Sequence, residues 1–271
     1  MSWQVDLSGI EGIHKILKED TDYQFQFFFQ VDWPSDEITI RFVGNQESPS
    51  DPQISELRIG STNEFLQKAK SDTRITLDFA EDIITRAFPS STSSVRWSSV
   101  HDGKEVALIG LTNLEIFGDA AKILAEPRYA WVLTFRDCHS VALRNLELGH
   151  IEPGYCSGGV IKFDSCTNLL LENCELFGSG TYGLEFVNCK NIELINVPVH
   201  SCTYGAANLY GVESFTARDC HFSKNAGFNL FEFRDFCKQS NLVGCNFAEN
   251  KMERMFYFDE AMYPIDFYMQ L

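Results

Sequence analysis

Between Trp131 and Asn250 the chain carries apolar residues in columns whose period is close to 23 residues. Phe135, Phe163, Phe186, Leu209 and Phe233 follow one another at steps of 28, 23, 23 and 24, and Val141, Leu169, Ile192 and Phe215 repeat them six residues later. Leu143, Leu171, Leu194 and Ala217 form a third column, and Leu148, Leu176, Val199, Phe222 and Phe247 a fourth. No helical period fits these columns; short apolar runs alternating in and out between turn residues predict strands. Two polar columns keep the same register: Ser140, Asn168, Asn191 and Ser214 precede the second apolar column, while Asn145, Asn173, Asn196 and Asp219 separate the third from the fourth. Asn and Asp enter the left-handed backbone region and bond neighbouring peptide groups, so they suit a corner repeated on every turn.

A unit of this length cannot bury its apolar face alone and must stack on its neighbours. Like residues then sit above like at the strand spacing of roughly 4.8 Å. The columns predict an all-β fold, a right-handed single-stranded parallel β-helix of about six to seven rungs, with Leu108, Asn113, Leu114 and Ile116 placing one rung near Val106. Residues 1–53 lack the repeat and predict a small α/β appendage. In it Ser8 and Glu11 open a helix to Lys18, Tyr23–Val31 and Glu37–Val43 are strands, and Gln46–Gln53 is a linker. The appendage is expected either to pack on the solenoid's end or to serve partner binding or dimerisation. Within the β-helix unit, 54–271, Ser61 to Glu64 start a helix through Ala69, Thr73–Phe79 is a strand, and the Ser-rich stretch Phe88–Asp102 is expected as a loop. The aromatic run Met255–Leu271 is expected as a cap over the last rung, the alternative being an exposed interface patch.

Thr167-Asn168-Leu169 and Leu171-Glu172-Asn173-Cys174-Glu175-Leu176, followed by Asn191-Ile192-Glu193-Leu194-Ile195-Asn196, resemble the repeat of pectate-lyase-like right-handed β-helix proteins. The resemblance implies the fold, with a helix such as 62–69 plugging its N-terminal end. It leaves activity open, because that superfamily holds lyases, glycoside hydrolases and non-catalytic binders. In its hydrolases, paired carboxylates follow the fourth column. Here those turns read Gly178-Ser179-Gly180, His200-Ser201-Cys202 and Ser223-Lys224-Asn225, without an acid, and Gly149-His150 is followed by Ile151 rather than the glycine of a Gly-His-Gly element. In its lyases, calcium on an acidic cluster works with a Lys or Arg base. The outward positions beside the Phe column supply Lys162, Asp164, Glu185, Glu232 and Arg234, with Arg136 one rung earlier. Under that resemblance Lys162, Glu185, Glu232 or His150 would be catalytic and calcium the cofactor; the other reading is cross-strand ion pairs on a solvated face.

With 44% hydrophobic and 22% charged residues the chain is expected to be globular. A formal charge of −16 repels a phosphate backbone, so no nucleic-acid partner is expected. No apolar run approaches the length of a membrane span, and Met1–Gly9 lacks a basic start with an apolar core, so no membrane partner and a cytoplasmic location are expected. Of nine cysteines, Cys138, Cys166 and Cys189 form one column and Cys174, Cys220 and Cys245 another, as buried reduced thiols would. No C-x-x-C pair occurs, so no zinc or other metal site is expected.

Two rungs are lengthened, by Asp119–Tyr129 and by His150–Cys156, both read as entering after the fourth column. As neighbours they would wall a corner beside Thr181-Tyr182-Gly183 and Thr203-Tyr204-Gly205. Tyr155, Tyr182 and Tyr204 would then line one edge with Glu126, Arg128, His150 and Glu152 nearby, either as a sugar or peptide platform or merely closing turns. The chain is therefore expected to be a non-catalytic scaffold binding a carbohydrate or protein partner at this corner; the alternative is a lyase or hydrolase of acidic sugars.

Overall fold

A computed structural model describes residues 54–85, 91–259 and 267–270, together with the antiparallel pair Gln4–Val5 and Phe42–Val43. The chain separates into two compact units, Met1–Pro52 and Gln53–Leu271. In the first, the expected helix to Lys18, the strand Tyr23–Val31 and the linker 46–53 lie outside the described residues.

The second unit winds as a right-handed parallel β-helix of about six turns. Successive turns pair in the register the columns predict: Leu108 faces Phe135, which faces Phe163, then Phe186, Leu209, Phe233 and finally Phe258. The rings of Phe135, Phe163 and Phe186 stack at centroid separations of 5.0 and 5.4 Å, and all three are fully buried. One face is an eight-stranded sheet, Val95–Val100 to Lys251–Phe258; the other two faces merge into a fourteen-stranded sheet because Thr112–Ala125 and His139–His150 run through their shared corner.

The polar columns are the corners. Ser140, Asn168, Asn191 and Ser214 have φ between 55 and 62°, and Asn145, Asn173, Asn196 and Asp219 between 50 and 53°. Their amides form ladders: Asn191 Nδ2 donates to Asn168 Oδ1 at 2.9 Å and Asn196 Nδ2 to Asn173 Oδ1 at 2.8 Å. Asp137, Ser165 and Asn188, with glycines at 110 and 211, make a further left-handed column that the sequence reading did not separate out. Eight of the nine free cysteines are buried, the exception being Cys156; the Cys138 amide donates to Cys166 Sγ at 3.3 Å across one turn.

The ends and insertions correct several expectations. The helix Thr62–Lys68 is present, with the Ser61 hydroxyl accepting from the Glu64 amide at 3.2 Å and with Phe65 and Leu66 in the core. The Ser-rich stretch is not simply a loop: Val95–Val100 pairs antiparallel with Gly103–Ile109, and Val95 is buried. Ser98 and Ser99 are exposed on this edge strand, where no apolar alternation is demanded. Part of the first insertion lies before the fourth column rather than after it. Phe117 faces Arg144 and Ala121 faces Leu146, so residues 118–120 bulge opposite Asn145 alone. The described residues of the C-terminal aromatic run are themselves strands of the solenoid's last turn. Lys251–Phe258 pairs parallel with Ala226–Arg234, and Phe267–Gln270 with Lys238–Val243.

Truncating the stacked column by Phe186→Ala is expected to cost about 3–5 kcal/mol in urea unfolding, since the cavity is closed above and below by other rungs. At the corner, Asn191→Val is expected to cost about 1–2 kcal/mol more than Asn191→Gly, because a β-branched residue resists the left-handed region.

Candidate binding face

Side chains alternate across a strand, so the residues between the buried columns of the eight-stranded sheet point outward. Thr134, Lys162, Glu185, Asn208, Glu232 and Tyr257 face one another in that order along the solenoid. Lys162 Nζ lies 2.6 Å from Glu185 Oε1, and Asn208 Nδ2 donates to Glu185 Oε2 at 3.0 Å. Glu232 accepts from Asn229 Nδ2 at 2.8 Å and from Arg234 Nε at 2.7 Å. In the next outward column Arg136 and Asp164 pair at 3.4 Å. The side chains of Glu232, Glu185 and Lys162 are only 6%, 16% and 26% exposed, whereas an ion pair on another face, Arg218 with Glu193, is 52% and 45% exposed.

Two aromatic rings lie along this face. A Cβ on Gly159 would come within 2.2 Å of the Trp131 ring, and one on Gly205, whose φ is 149°, within 3.1 Å of Tyr182 Cε1. The absent side chains at these two glycines let the rings rest on the backbone of the following turn. Burial first, and then the negative charge of the Glu232 carboxylate, push the Tyr182 hydroxyl above its ordinary pKa. The Trp131 amide donates to Glu105 Oε2 at 3.0 Å. Burial raises the pKa of the Glu105 carboxyl, against the opposing pull of that amide and of the Lys162 and Arg136 charges.

The expected tyrosine corner resolves into two clusters. Tyr155 is exposed and stacks on Tyr129 at 5.2 Å, with the Arg128 guanidinium 4.0 Å from its ring. Arg128 also pairs with Glu152 at 3.6 Å and donates from Nε to the Pro153 carbonyl at 3.0 Å, so the two inserted loops are neighbours. Tyr182 and the exposed Tyr204 meet edge to face at 6.0 Å, and Tyr204 meets Phe228 at 6.3 Å. Glu126 is half-buried, its amide donating to the Ile84 carbonyl at 3.0 Å. His150 is 4% exposed, Nε2 is 3.0 Å from the Gly159 carbonyl, and Nδ1 is enclosed without a partner. Its ring thus meets the backbone of the same glycine on which Trp131 rests. Sequence reasoning missed Glu105, Trp131, Asn208 and Asn229, which carry no periodic signal of their own.

The carboxylates of this face do not fit calcium, which needs several unclaimed oxygens. Glu185 and Glu232 already hold ammonium and guanidinium groups, and no group of three or more His, Cys, Asp or Glu suited to a metal exists among the described residues. A depression elsewhere follows the turn asparagines Asn145, Asn173 and Asn196 and is lined as well by Asp119, Glu147 and Glu175.

Residues 134–264 match the family described as right handed beta helix region. The unit Gln53–Leu271 has the right-handed parallel β-helix fold that this description names. No curated protein matches it. Among solved structures, this β-helix is similar to an alginate lyase from Paenibacillus sp. str. FPU-7, at 8% identity over 70% of this chain and 76% of that one, with a TM-score of 0.42. A pectate lyase (pelN) from Paenibacillus sp. 0602 shares 9% identity over 70% and 71% of the two chains, with a TM-score of 0.41. Tailspike protein 2 from Escherichia coli O157:H7 bacteriophage CAB120 shares 12% over 77% of this chain but 33% of its own, at 0.42. At such identities the likeness is one of winding alone.

The buried His150 makes the β-helix sensitive to acid. Desolvation holds its pKa below the ordinary 6.5, so below that pH the unfolded chain binds a proton that the folded chain refuses. Stability is therefore expected to fall, by at most about 1.4 kcal/mol per pH unit, as pH drops from 6.5 toward the folded value. Unfolding of the native chain and of His150→Gln at pH 7.5 and 5.5 checks this: the native chain should lose more.

Proposed function

We propose that this β-helix binds carbohydrate along the outer face of its eight-stranded sheet and the adjoining tyrosine corner, without cleaving it. The observation that carries the reading is the run Lys162, Glu185, Asn208, Glu232 and Arg234, hydrogen-bonded into fixed positions and flanked by the partly exposed Tyr182 ring, with the largely buried Trp131 ring beneath its other end. A sugar offers hydroxyls at its rim and apolar C–H surface on its faces, and these groups complement pre-placed donors, acceptors and aromatic rings. Tyr204 and Tyr155, both exposed, extend the same kind of surface around the corner.

Cleavage asks for more. A glycosidase needs one carboxyl held protonated and a second free to attack or to activate water. Glu185 and Glu232 stand in register two strands apart, about 9.5 Å between backbones by the strand spacing. That separation falls at the upper end for an inverting pair, but each carboxylate is already engaged by a neighbouring cation, so neither stands free for a substrate. A second reading, an enzyme acting on sugars, is favoured by Glu105, whose buried carboxyl leans toward the protonated form within electrostatic reach of Glu185 and Lys162.

A panel of oligosaccharides separates the two. Binding without new chain ends is expected, and Tyr204→Ala, at an exposed ring, should weaken it about tenfold, or about 1.4 kcal/mol, with the unfolding midpoint unchanged. Product formation abolished by Glu105→Gln or Glu185→Gln would establish the enzyme instead, and failure of every saccharide to bind would remove both readings.

A further inference from the structure

We infer that the saccharide accepted by this face is uncharged rather than a uronate polymer. The inference rests on the binding reading above and adds the ligand's charge class. Three cations of the face are already matched: Arg136 with Asp164 at 3.4 Å, Lys162 with Glu185 at 2.6 Å and Arg234 with Glu232 at 2.6 Å. A uronate carboxylate would have to take Lys162 or Arg234 from its partner. Because Glu185 and Glu232 are 16% and 6% exposed, that exchange would leave an enclosed carboxylate without its counter-charge. The same pairing leaves no unmatched carboxylate at these positions to attract an ammonium sugar.

The surroundings add to the barrier. Glu105 contributes a fourth acid, and burial already disfavours its charge, which a neighbouring anion would disfavour further. Asn208 Oδ1 and Asn229 Oδ1, next to Glu185 and Glu232, are enclosed acceptors with no donor, so the partial charges under the face are also negative. Over the whole chain the formal charge is −16. Uncharged hydroxyls meet none of these penalties: each one donates to an acceptor or accepts from a donor while the ion pairs stay intact. Arg254, whose guanidinium lies 5.7 Å from the Tyr257 ring, has no carboxylate partner among the described residues and is the position where a uronate could gain a foothold.

The test is calorimetric titration of the full chain with neutral hexasaccharides of glucose, mannose and N-acetylglucosamine, and with hexagalacturonate, each at low and at physiological salt. At least one neutral probe is expected to bind with an affinity indifferent to salt, and hexagalacturonate to bind about tenfold more weakly or not at all. Glu185→Gln releases Lys162 and is expected to raise hexagalacturonate affinity about tenfold in a salt-dependent way. Tighter binding of hexagalacturonate than of every neutral probe by the unmodified chain, lost in Arg254→Ala or on adding salt, would overturn the inference while leaving carbohydrate binding in place. Silence from all probes would overturn both.

Discussion

Parallel stacking of successive turns at a single strand spacing forces each residue onto its counterpart one turn away, and every other feature of this β-helix answers to that constraint. Inside, it rewards identity: phenylalanine on phenylalanine, with ring centroids 5.0 to 5.4 Å apart, and cysteine on cysteine where the space is too small for a ring. At the corners it repeats one backbone conformation, and asparagine serves because it tolerates positive φ and its amide both donates to one turn and accepts from the next. Outside, it favours alternation, since like charges directly opposite repel, although Glu147 does stand opposite Glu175. Arg144 accordingly stands between Glu115 and Glu172, and Arg74 between Glu56 and Glu115.

The candidate face arises from the same rule under different burial. On the fourteen-stranded sheet a pair such as Arg218 with Glu193 is about half exposed, and such pairs contribute little. On the eight-stranded sheet Trp131 and Tyr182 lie over the glycines of the next turn, and the pairs beside them are partly withdrawn from solvent. Partial desolvation turns an incidental ladder into one whose members hold position and resist exchange of partners. A neutral ligand can exploit fixed donors and acceptors of this kind, whereas an ionic ligand must first disrupt them. Glycines at 159 and 205 are thus as much a part of the face as the charged groups.

What could be read in advance depended on repetition. The four apolar columns and two asparagine corners recur on turn after turn, so chance cannot imitate them, and their partners across each strand pair follow directly. The third corner column escaped because it mixes Asp, Ser, Asn and Gly, which share a backbone conformation but not a side chain. The edge strand Val95–Val100 escaped because only one of its sides meets the core. The bulge at residues 118–120 escaped because extra length shows in a sequence while the point of its insertion does not.

By itself, then, the order of residues determined the winding, the period, the corners and the contents of the core, because each of these is set by which residue falls one repeat further on. Tertiary structure decided everything that depends on a single occurrence. It alone set Glu105 near Lys162, laid Trp131 and Tyr182 across particular glycines, enclosed His150, and withdrew the Glu232 carboxylate from solvent. The reason is physical: stacking propagates information from turn to turn, whereas burial and electrostatics at one site depend on side chains that meet from different turns and loops.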